Sequence, residues 1–379
     1  MSDGAIRSGD QLAGRKIVLV HDWLTGMRGG ERVLESLCRM FPDADLCTLV
    51  HIRGSVSRVI EARRIKTSFV QHLPLSNRLY RQYLPLFPAA IEGFDLDGYD
   101  LVISTSHCAA KAVVAVGRAA HVCYCFSPMR YAWDQFDSYF GADRVGRTRT
   151  AAYRHIMAWI ARWDRDTTHR VSRFLADSQY VASRIGRYYN REALVLYPPV
   201  DTAFFTPDGH EPEPHFLVVS ALVPYKRIDL AVQAARRLGV TLKIVGTGPE
   251  EAALRAIAGP TVEFLGALDD ASLREQFRRA RAVVLPAEED FGIVPVEAQA
   301  CGRPVVAFAR GGAAETVTDG ITGLLVDRAT PDAFADAMAD AARRPWDRAR
   351  LRTDAERFSV DRFEAAMRAV LTETLAAVS

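Results

Sequence analysis

No apolar run in this 379-residue chain approaches the ~18–20 residues needed to cross a bilayer, so no membrane-spanning helix is expected. The N-terminus also lacks the apolar core of a signal peptide: Met1–Gly14 is polar and reads as a disordered tail. Charge of one sign is missing too. With 48 Lys and Arg against 46 Asp and Glu the net charge is +2, too balanced to imply nucleic-acid binding. Cysteine is scarce, at six residues with no C-x-x-C pair. Cys38, Cys47, Cys108, Cys123, Cys125 and Cys301 therefore read as reduced core thiols of a cytoplasmic protein, which argues against a metal site. A complete dinucleotide fingerprint is absent as well. Gly246 and Gly248 in I-V-G-T-G-P-E supply only G-x-G, and the acid some way downstream, Glu263, falls in the next strand-like run. A nicotinamide cofactor is not expected; a tight strand-to-helix turn is.

What the chain does have is apolar material for two cores: 49% hydrophobic with 25% charged residues, at a length that suggests two domains. Short β-branched runs alternate with helical patterns in the first half, at Lys16–His21, Leu101–Ser104, His121–Phe126 and Arg173–Ala176. An amphipathic helix is expected over Glu31–Phe41. The rhythm restarts at His215–Ser220, Thr241–Val245, Thr261–Leu265, Ala282–Leu285 and Pro304–Ala307. Strands separated by helices predict parallel α/β sheets. Between the halves, a Pro- and acid-rich stretch can continue neither helix nor central strand. The spacing thus predicts Rossmann-like domains over 15–198 and 215–359, a linker over 199–214, and a C-terminal helix over 360–379. That helix either caps its own domain or crosses back to the first.

The most informative segment is E-D-F-G-I-V-P-V-E, Glu289–Glu297. It follows a buried strand-like run and places two carboxylates around a glycine turn, with Pro295 announcing a helix. The bland reading is an acidic turn and a carboxylate in a first helical turn, stabilised by the helix dipole by about 0.3–1 kcal/mol. A glycosidase pair is another reading. A strand, exposed turn amides and a helix N-terminus instead make an anion site, with acidic acceptors for hydroxyls on each side. Phosphates and hydroxyls together suggest a sugar nucleotide. Lys226 and Arg227 lie just before a helix, against its dipole, and suggest an anion nearby. Gly29 and Gly30 open the first helix and allow close approach of a ligand to backbone. His107 follows the run L-V-I-S-T-S, at the edge where open α/β sheets bind ligands; a lone histidine is as often structural.

These motifs resemble glycosyltransferase family 4. The likeness rests on E-x7-E with its F-G turn, P-x-K near Lys226, I-V-G-T-G-P, G-R-P-V-V-A followed by G-G-A-A-E-T-V, and D-G-I-T-G-L-L-V. In the first half, H-D-W-L-T-G-M-R-G-G-E-R-V-L, S-T-S-H and Y-C-F-S-P-M-R-Y-A-W-D resemble a branch that makes bacterial O-antigen and exopolysaccharide with mannose donors. The resemblance implies an α/β GT-B fold, two Rossmann-like domains facing a cleft, and metal-independent, retaining transfer from a nucleotide sugar. It implies that Glu289 holds donor-sugar hydroxyls and that Phe291, Gly292 and Ile293 face sugar and phosphate. Glu297 would bind the ribose, Lys226 and Arg227 the diphosphate, and His107 the sugar 6-hydroxyl. Gly29, Gly30, Gly246 and Gly248 would line the donor site; Trp23, Arg130 and Asp134 would serve the acceptor. No cofactor is implied, the nucleotide sugar being a substrate, with GDP-mannose favoured. Two departures stand out: Ala221 replaces an arginine common in the family, and Phe126 a polar residue expected in the branch. A UDP-glucose-dependent enzyme and a GT-B sugar-nucleotide 2-epimerase are the alternatives.

Residues 53–82 hold Arg53, Arg58, Arg63, Arg64, Lys66, Arg78 and Arg81 against the single acid Glu61, interleaved with Phe69, Leu73, Leu75 and Tyr80. The bland reading is a solvated face over a buried apolar side. A basic amphipathic segment also suits an anionic membrane surface, which would place the protein peripherally on the inner face of the cell membrane. A polyprenyl-diphosphate-linked saccharide acceptor would account for it.

Overall fold

The computed structural model describes residues 12–378. Of the tail expected at Met1–Gly14, residues 1–11 lie outside the described residues, while Leu12 is buried in the first core. The chain divides into two units. One comprises the chain through Asp177, Val181–Leu196 and the residues from Phe363 on; the other comprises Ser178–Tyr180 and Tyr197–Arg362. The Pro-rich stretch 198–214 groups with the second unit.

The first unit is built on a seven-stranded parallel sheet: β1 (Ile17–His21), β2 (Asp45–Thr48), β3 (Ile65–Thr67), β4 (Leu101–Ser106), β5 (Ala120–Cys125), β6 (Arg173–Ala176) and β7 (Ala193–Val195). Their order in the sheet is β3-β2-β1-β4-β5-β6-β7, all parallel. Both faces of a parallel sheet are covered, so its central strands carry continuous apolar runs rather than alternation. All five residues of β1 and all six of β4 are buried. Helix α1 (Gly29–Met40) packs on one face through Val33, Leu34, Leu37 and Met40. The long helix α2 (Arg147–Asp166) packs on the other through Met157 and Ile160.

The second unit holds β8 (His215–Val219), β9 (Thr241–Val245), β10 (Val262–Gly266), β11 (Ala282–Leu285), β12 (Val305–Phe308) and β13 (Gly323–Val326). They form a six-stranded parallel sheet in the order β10-β9-β8-β11-β12-β13. Helices α3 (Ile228–Leu238) and α4 (Ile293–Ala300) flank it. The C-terminal helix α5 (Val360–Val378) settles the alternative left by its periodicity. Phe363, Met367, Val370, Leu371 and Leu375 join the first unit's core beside Leu19 and Leu34.

Both sheets reverse strand order once, between β1 and β4 and between β8 and β11. At such a switch point neighbouring strands send their following loops apart and leave a crevice beyond their C-terminal ends. The residues singled out by the sequence cluster at these two places.

Candidate functional site

At the second unit's switch point, β8 ends at Val219 and β11 at Leu285, and their loops carry Lys226 and Glu289. Lys226 Nζ donates to both Oε1 and Oε2 of Glu289 at 2.5 Å. The pair is largely sheltered, the side chains 17% and 13% exposed. Arg227 takes a left-handed backbone (φ 48°) as the residue before α3, and its guanidinium donates to both carboxylate oxygens of Asp229 at 3.1 Å. The two cations are therefore compensated within the chain, so their charge alone does not call for an external anion. Each cation has a carboxylate of its own, and Asp229 in the first turn of α3 also offsets the conflict with the helix dipole.

Gly292 (φ 84°) is the residue before α4, a backbone that only glycine adopts without strain. The helix starts at Ile293, so Glu297 stands a turn further in than the expected first-turn position, and α4 has no acid in its first turn. Amides of the first turn have no partner within the helix, and Pro295 contributes none. Phe291 is buried, its ring 5.7 Å from Tyr197 and 5.4 Å from Phe358. Gly311 and Gly312 hold the loop: Gly312 N–H donates to Glu289 O at 2.8 Å. A Cβ on Gly311 would stand 2.2 Å from Glu289 O, and one on Gly312 would stand 2.3 Å from Phe291 Cα. The G-G pair is thus a backbone seat for the E-x7-E loop. Gly246 and Gly248 are likewise explained by packing. Added Cβ atoms would stand 1.9 Å from Ser220 O and 2.3 Å from Leu222 O, so these glycines press against the β8 loop whether or not a ligand is present.

At the first unit's switch point, Asp22 follows β1 and is fully buried. Its carboxylate accepts backbone N–H bonds from His107 (2.7 Å), Cys108 (3.0 Å), Ala109 (2.6 Å) and Ala110 (2.8 Å). His107 Nδ1 lies 3.1 Å from Asp22 Oδ2. Desolvation pulls the His107 imidazole below its usual range, opposed by the Asp22 charge. Trp23, expected to touch an acceptor, is 5% exposed. Its ring meets His107 edge-on at 4.5 Å and packs on Tyr80 and Phe87, so it acts as a wall behind the histidine. Asp134 is committed to Arg184 Nη2 at 2.6 Å, and Arg184 also donates to Ser127 Oγ at 2.8 Å. Arg130 opens a short helix and lies close enough to His107 to lower its pKa. Gly29 and Gly30 are the first residues of α1, and a Cβ on Gly30 would stand 3.1 Å from the Phe126 ring. Glu31 folds back to accept the Arg28 N–H at 3.0 Å. Burial pushes its carboxyl up, but His21, a backbone hydrogen bond and the His107 charge together leave it below its ordinary value.

Sequence reasoning missed Asp22, Gly311 and Gly312 as individual residues. An acid directly after a fully apolar strand, and paired glycines after β12, were the available signals.

The basic segment is not one amphipathic helix. It breaks into a helical turn at Arg58–Glu61, strand β3, and turns at Phe69–His72, Ser76–Leu79 and Tyr80–Leu86. Arg64 and Lys66 pair with Asp45 at 3.5 and 3.4 Å, and Arg63 donates to the Pro42 carbonyl. Exposed apolar residues stand in its second half, Phe69 (47%) and Leu75 (61%) near Arg78 and Arg81 in sequence, and just beyond it at Leu86 (40%). No helix among the described residues is long and apolar enough to cross a membrane.

Residues 201–358 match the family model described as glycosyl transferases group 1. A D-inositol 3-phosphate glycosyltransferase of Kribbella flavida is 32% identical over 210 residues, covering 46% of this chain and 49% of its own. A GDP-mannose-dependent alpha-(1-6)-phosphatidylinositol monomannoside mannosyltransferase of Mycolicibacterium smegmatis is 34% identical over 194 residues, 43% of this chain and 51% of its own. The chain spans about half the length of the curated relatives it matches. Solved structures extend the likeness to nearly the whole chain. Sucrose-phosphate synthase of Thermosynechococcus elongatus aligns with TM-score 0.71 at 20% identity, over 96% of this chain and 100% of that one. Anabaena HepE in complex with UDP and glucose aligns with TM-score 0.67 at 20% identity, over 94% and 99%. The fold is thus the two-sheet GT-B arrangement of Rossmann-like units, and the stretch that is similar to glycosyl transferases group 1 lies within the second of them.

Proposed function

We propose that this protein is a retaining glycosyltransferase that moves a hexose, mannose from GDP-mannose, from a nucleotide sugar to a lipid-linked saccharide. The observation that carries the reading is the Lys226–Glu289 pair at the second sheet's switch point, inside the region matched by the family. A diphosphate arriving there exchanges places with the Glu289 carboxylate on Lys226. Glu289, released, accepts hydrogen bonds from the hexose hydroxyls. The first-turn amides of α4 and the Lys226 ammonium then stabilise charge as it develops on the leaving oxygen. The bond from the anomeric carbon to the diphosphate oxygen breaks and a bond to the acceptor oxygen forms on the same face. The acceptor's hydroxyl proton passes to the departing phosphate. His107 keeps its assignment to the sugar 6-hydroxyl, Glu297 to the ribose, and Arg227 to a diphosphate contact that Asp229 must share.

GDP-mannose is favoured by the similarity to the GDP-mannose-dependent mannosyltransferase of Mycolicibacterium smegmatis. The lipid-linked acceptor is favoured by the Phe69, Leu75 and Leu86 surface with its arginines, which suits an anionic leaflet. The test is a thermal-shift screen of GDP, UDP and their hexose conjugates, followed by transfer assays with and without lipid-linked acceptor. A ligand at 100 times its Kd stabilises by about 2.7 kcal/mol. Stabilisation by GDP and GDP-mannose with acceptor-dependent GDP release is expected. Preference for UDP would overturn the donor, and donor conversion without acceptor would point to an epimerase.

A further inference from the structure

Asp22 makes more contacts than a loop staple requires. Four amides, from His107 to Ala110, already fill its carboxylate and tie the β1 and β4 ends together. The fifth neighbour is different in kind: His107 Nδ1, 3.1 Å from the Oδ2 that already takes two of the amides. An ionised carboxylate only accepts, so the imidazole proton must sit on Nδ1 for this contact to be favourable. The opposite nitrogen, Nε2, makes no hydrogen bond among the described residues, and the side chain is 36% exposed. Trp23 packs against the imidazole, the ring centroids 4.5 Å apart and the planes near perpendicular.

We propose that Asp22 is a positioning residue for sugar transfer: it holds His107 in the Nδ1–H tautomer, so that Nε2 presents a bare lone pair to a hydroxyl of the transferred hexose. The inference rests on the assignment of His107 to that sugar. In this form the histidine is an acceptor and fixes the hydroxyl as a donor, leaving the hydroxyl oxygen free to accept from elsewhere. The other tautomer would present an N–H and reverse that polarity. A neutral imidazole is favoured by desolvation. The charged groups around it are Asp22 after β1, His21 in β1, Glu31 in α1 and Arg130 in its short helix; Asp22 and Glu31 raise its pKa, His21 and Arg130 lower it.

The experiment has three arms on the full chain. Nitrogen-15 NMR of the imidazoles, assigned with His107→Gln, reads the tautomer in the unaltered protein. A protonated Nδ1 and bare Nε2 are expected; a proton on Nε2 overturns the proposal even if no Asp22 variant folds. The second arm is the pH profile of kcat/KM for Asp22→Asn. Activity is lost as pH falls and Nε2 takes a proton. Removing the Asp22 charge removes a pKa-raising influence, so the acid limb moves to lower pH while kcat/KM on the plateau falls about 3- to 10-fold, the worth of one neutral hydrogen bond. An acid limb that stays in place, with the same loss, means that Asp22 only staples the loop and overturns the proposal. The third arm is His107→Gln itself. Unchanged transfer in that variant removes the sugar contact of His107, a failure distinct from a wrong tautomer.

Discussion

The proposed exchange of Lys226 between Glu289 and a diphosphate predicts that substitutions at these two paired residues have opposite effects on ligand binding. Exposed ion pairs contribute about 0–1 kcal/mol, whereas breaking a fully buried one costs about 3–5 kcal/mol. With side chains 17% and 13% exposed, the Lys226–Glu289 pair falls between these limits. Lys226→Ala should therefore destabilise the second unit by about 1–3 kcal/mol, roughly 3–10 °C in Tm for a unit of this size. It also deletes the cation from the leaving diphosphate, which should lower kcat by about 10²–10³ and weaken GDP. Glu289→Gln keeps the shape and removes the competing charge. GDP then no longer displaces a carboxylate from Lys226. If the competition is worth about 1–2 kcal/mol, GDP binds about 5- to 30-fold more tightly to Glu289→Gln while hexose transfer still falls. Calorimetric titration of GDP into the two variants, beside urea unfolding of each, separates the effects. Parallel weakening of GDP in both would refute the exchange, and near-normal transfer by Lys226→Ala would remove that residue from the reaction.

Three further outcomes follow from the geometry. Gly312→Ala forces a Cβ to within 2.3 Å of Phe291 Cα; overpacking of this kind costs about 1–3 kcal/mol, so urea unfolding should show that loss together with reduced turnover. His121, fully buried between Ser104 Oγ (2.8 Å) and the Arg170 carbonyl (3.2 Å), has its imidazole pushed down to about 4 by desolvation. The unfolded chain takes up that proton near pH 6.5, so this contribution is complete above pH 6.5 and is lost as pH falls towards 4. Unfolding free energies at pH 7 and 4.5 should differ by about 2 kcal/mol on this account, a difference that His121→Asn should reduce. At the surface proposed to meet a membrane, Arg78→Glu with Arg81→Glu should cut binding to vesicles containing anionic lipid, since each cation near the leaflet contributes about 1 kcal/mol; co-sedimentation indifferent to lipid charge would count against that surface.

The parts of the fold legible in the sequence are mostly its apolar strands. β1, β4, β5 and β6 in the first sheet and β8, β9, β10, β11 and β12 in the second agree with their expected limits to within two residues, whereas β2, four residues opened by an acid, escapes the pattern. The edge strands β3 and β7 escaped notice because each has three residues with a half-exposed pattern, too short to show a period. β3 lies inside the segment read as one basic amphipathic surface, and its three residues interrupt that segment without leaving a period of their own. Three of the segment's seven cations, Arg63, Arg64 and Lys66, face Asp45 or a carbonyl on neighbouring elements, which no local pattern reveals. β13 was seen only as the motif D-G-I-T-G-L-L-V.

The candidate site divides along the same line. Positions were legible, because a strand end followed by a glycine turn and a helix start fixes where a residue stands. Partners were not. Lys226 and Glu289 are 63 residues apart, and Asp22 and His107 are 85 apart, yet each pair is joined across a switch point. Two cations set against a helix dipole looked like a vacancy for an anion, when the chain itself supplied the counter-charges. The distinction bears on function. A site whose cation is already paired binds its ligand by exchange, so the ligand's affinity reports a difference between two carboxylate- or phosphate-bound states and not the strength of one contact. Local sequence identifies the groups that take part in such an exchange, while its direction and size depend on long-range pairings that only the folded chain creates.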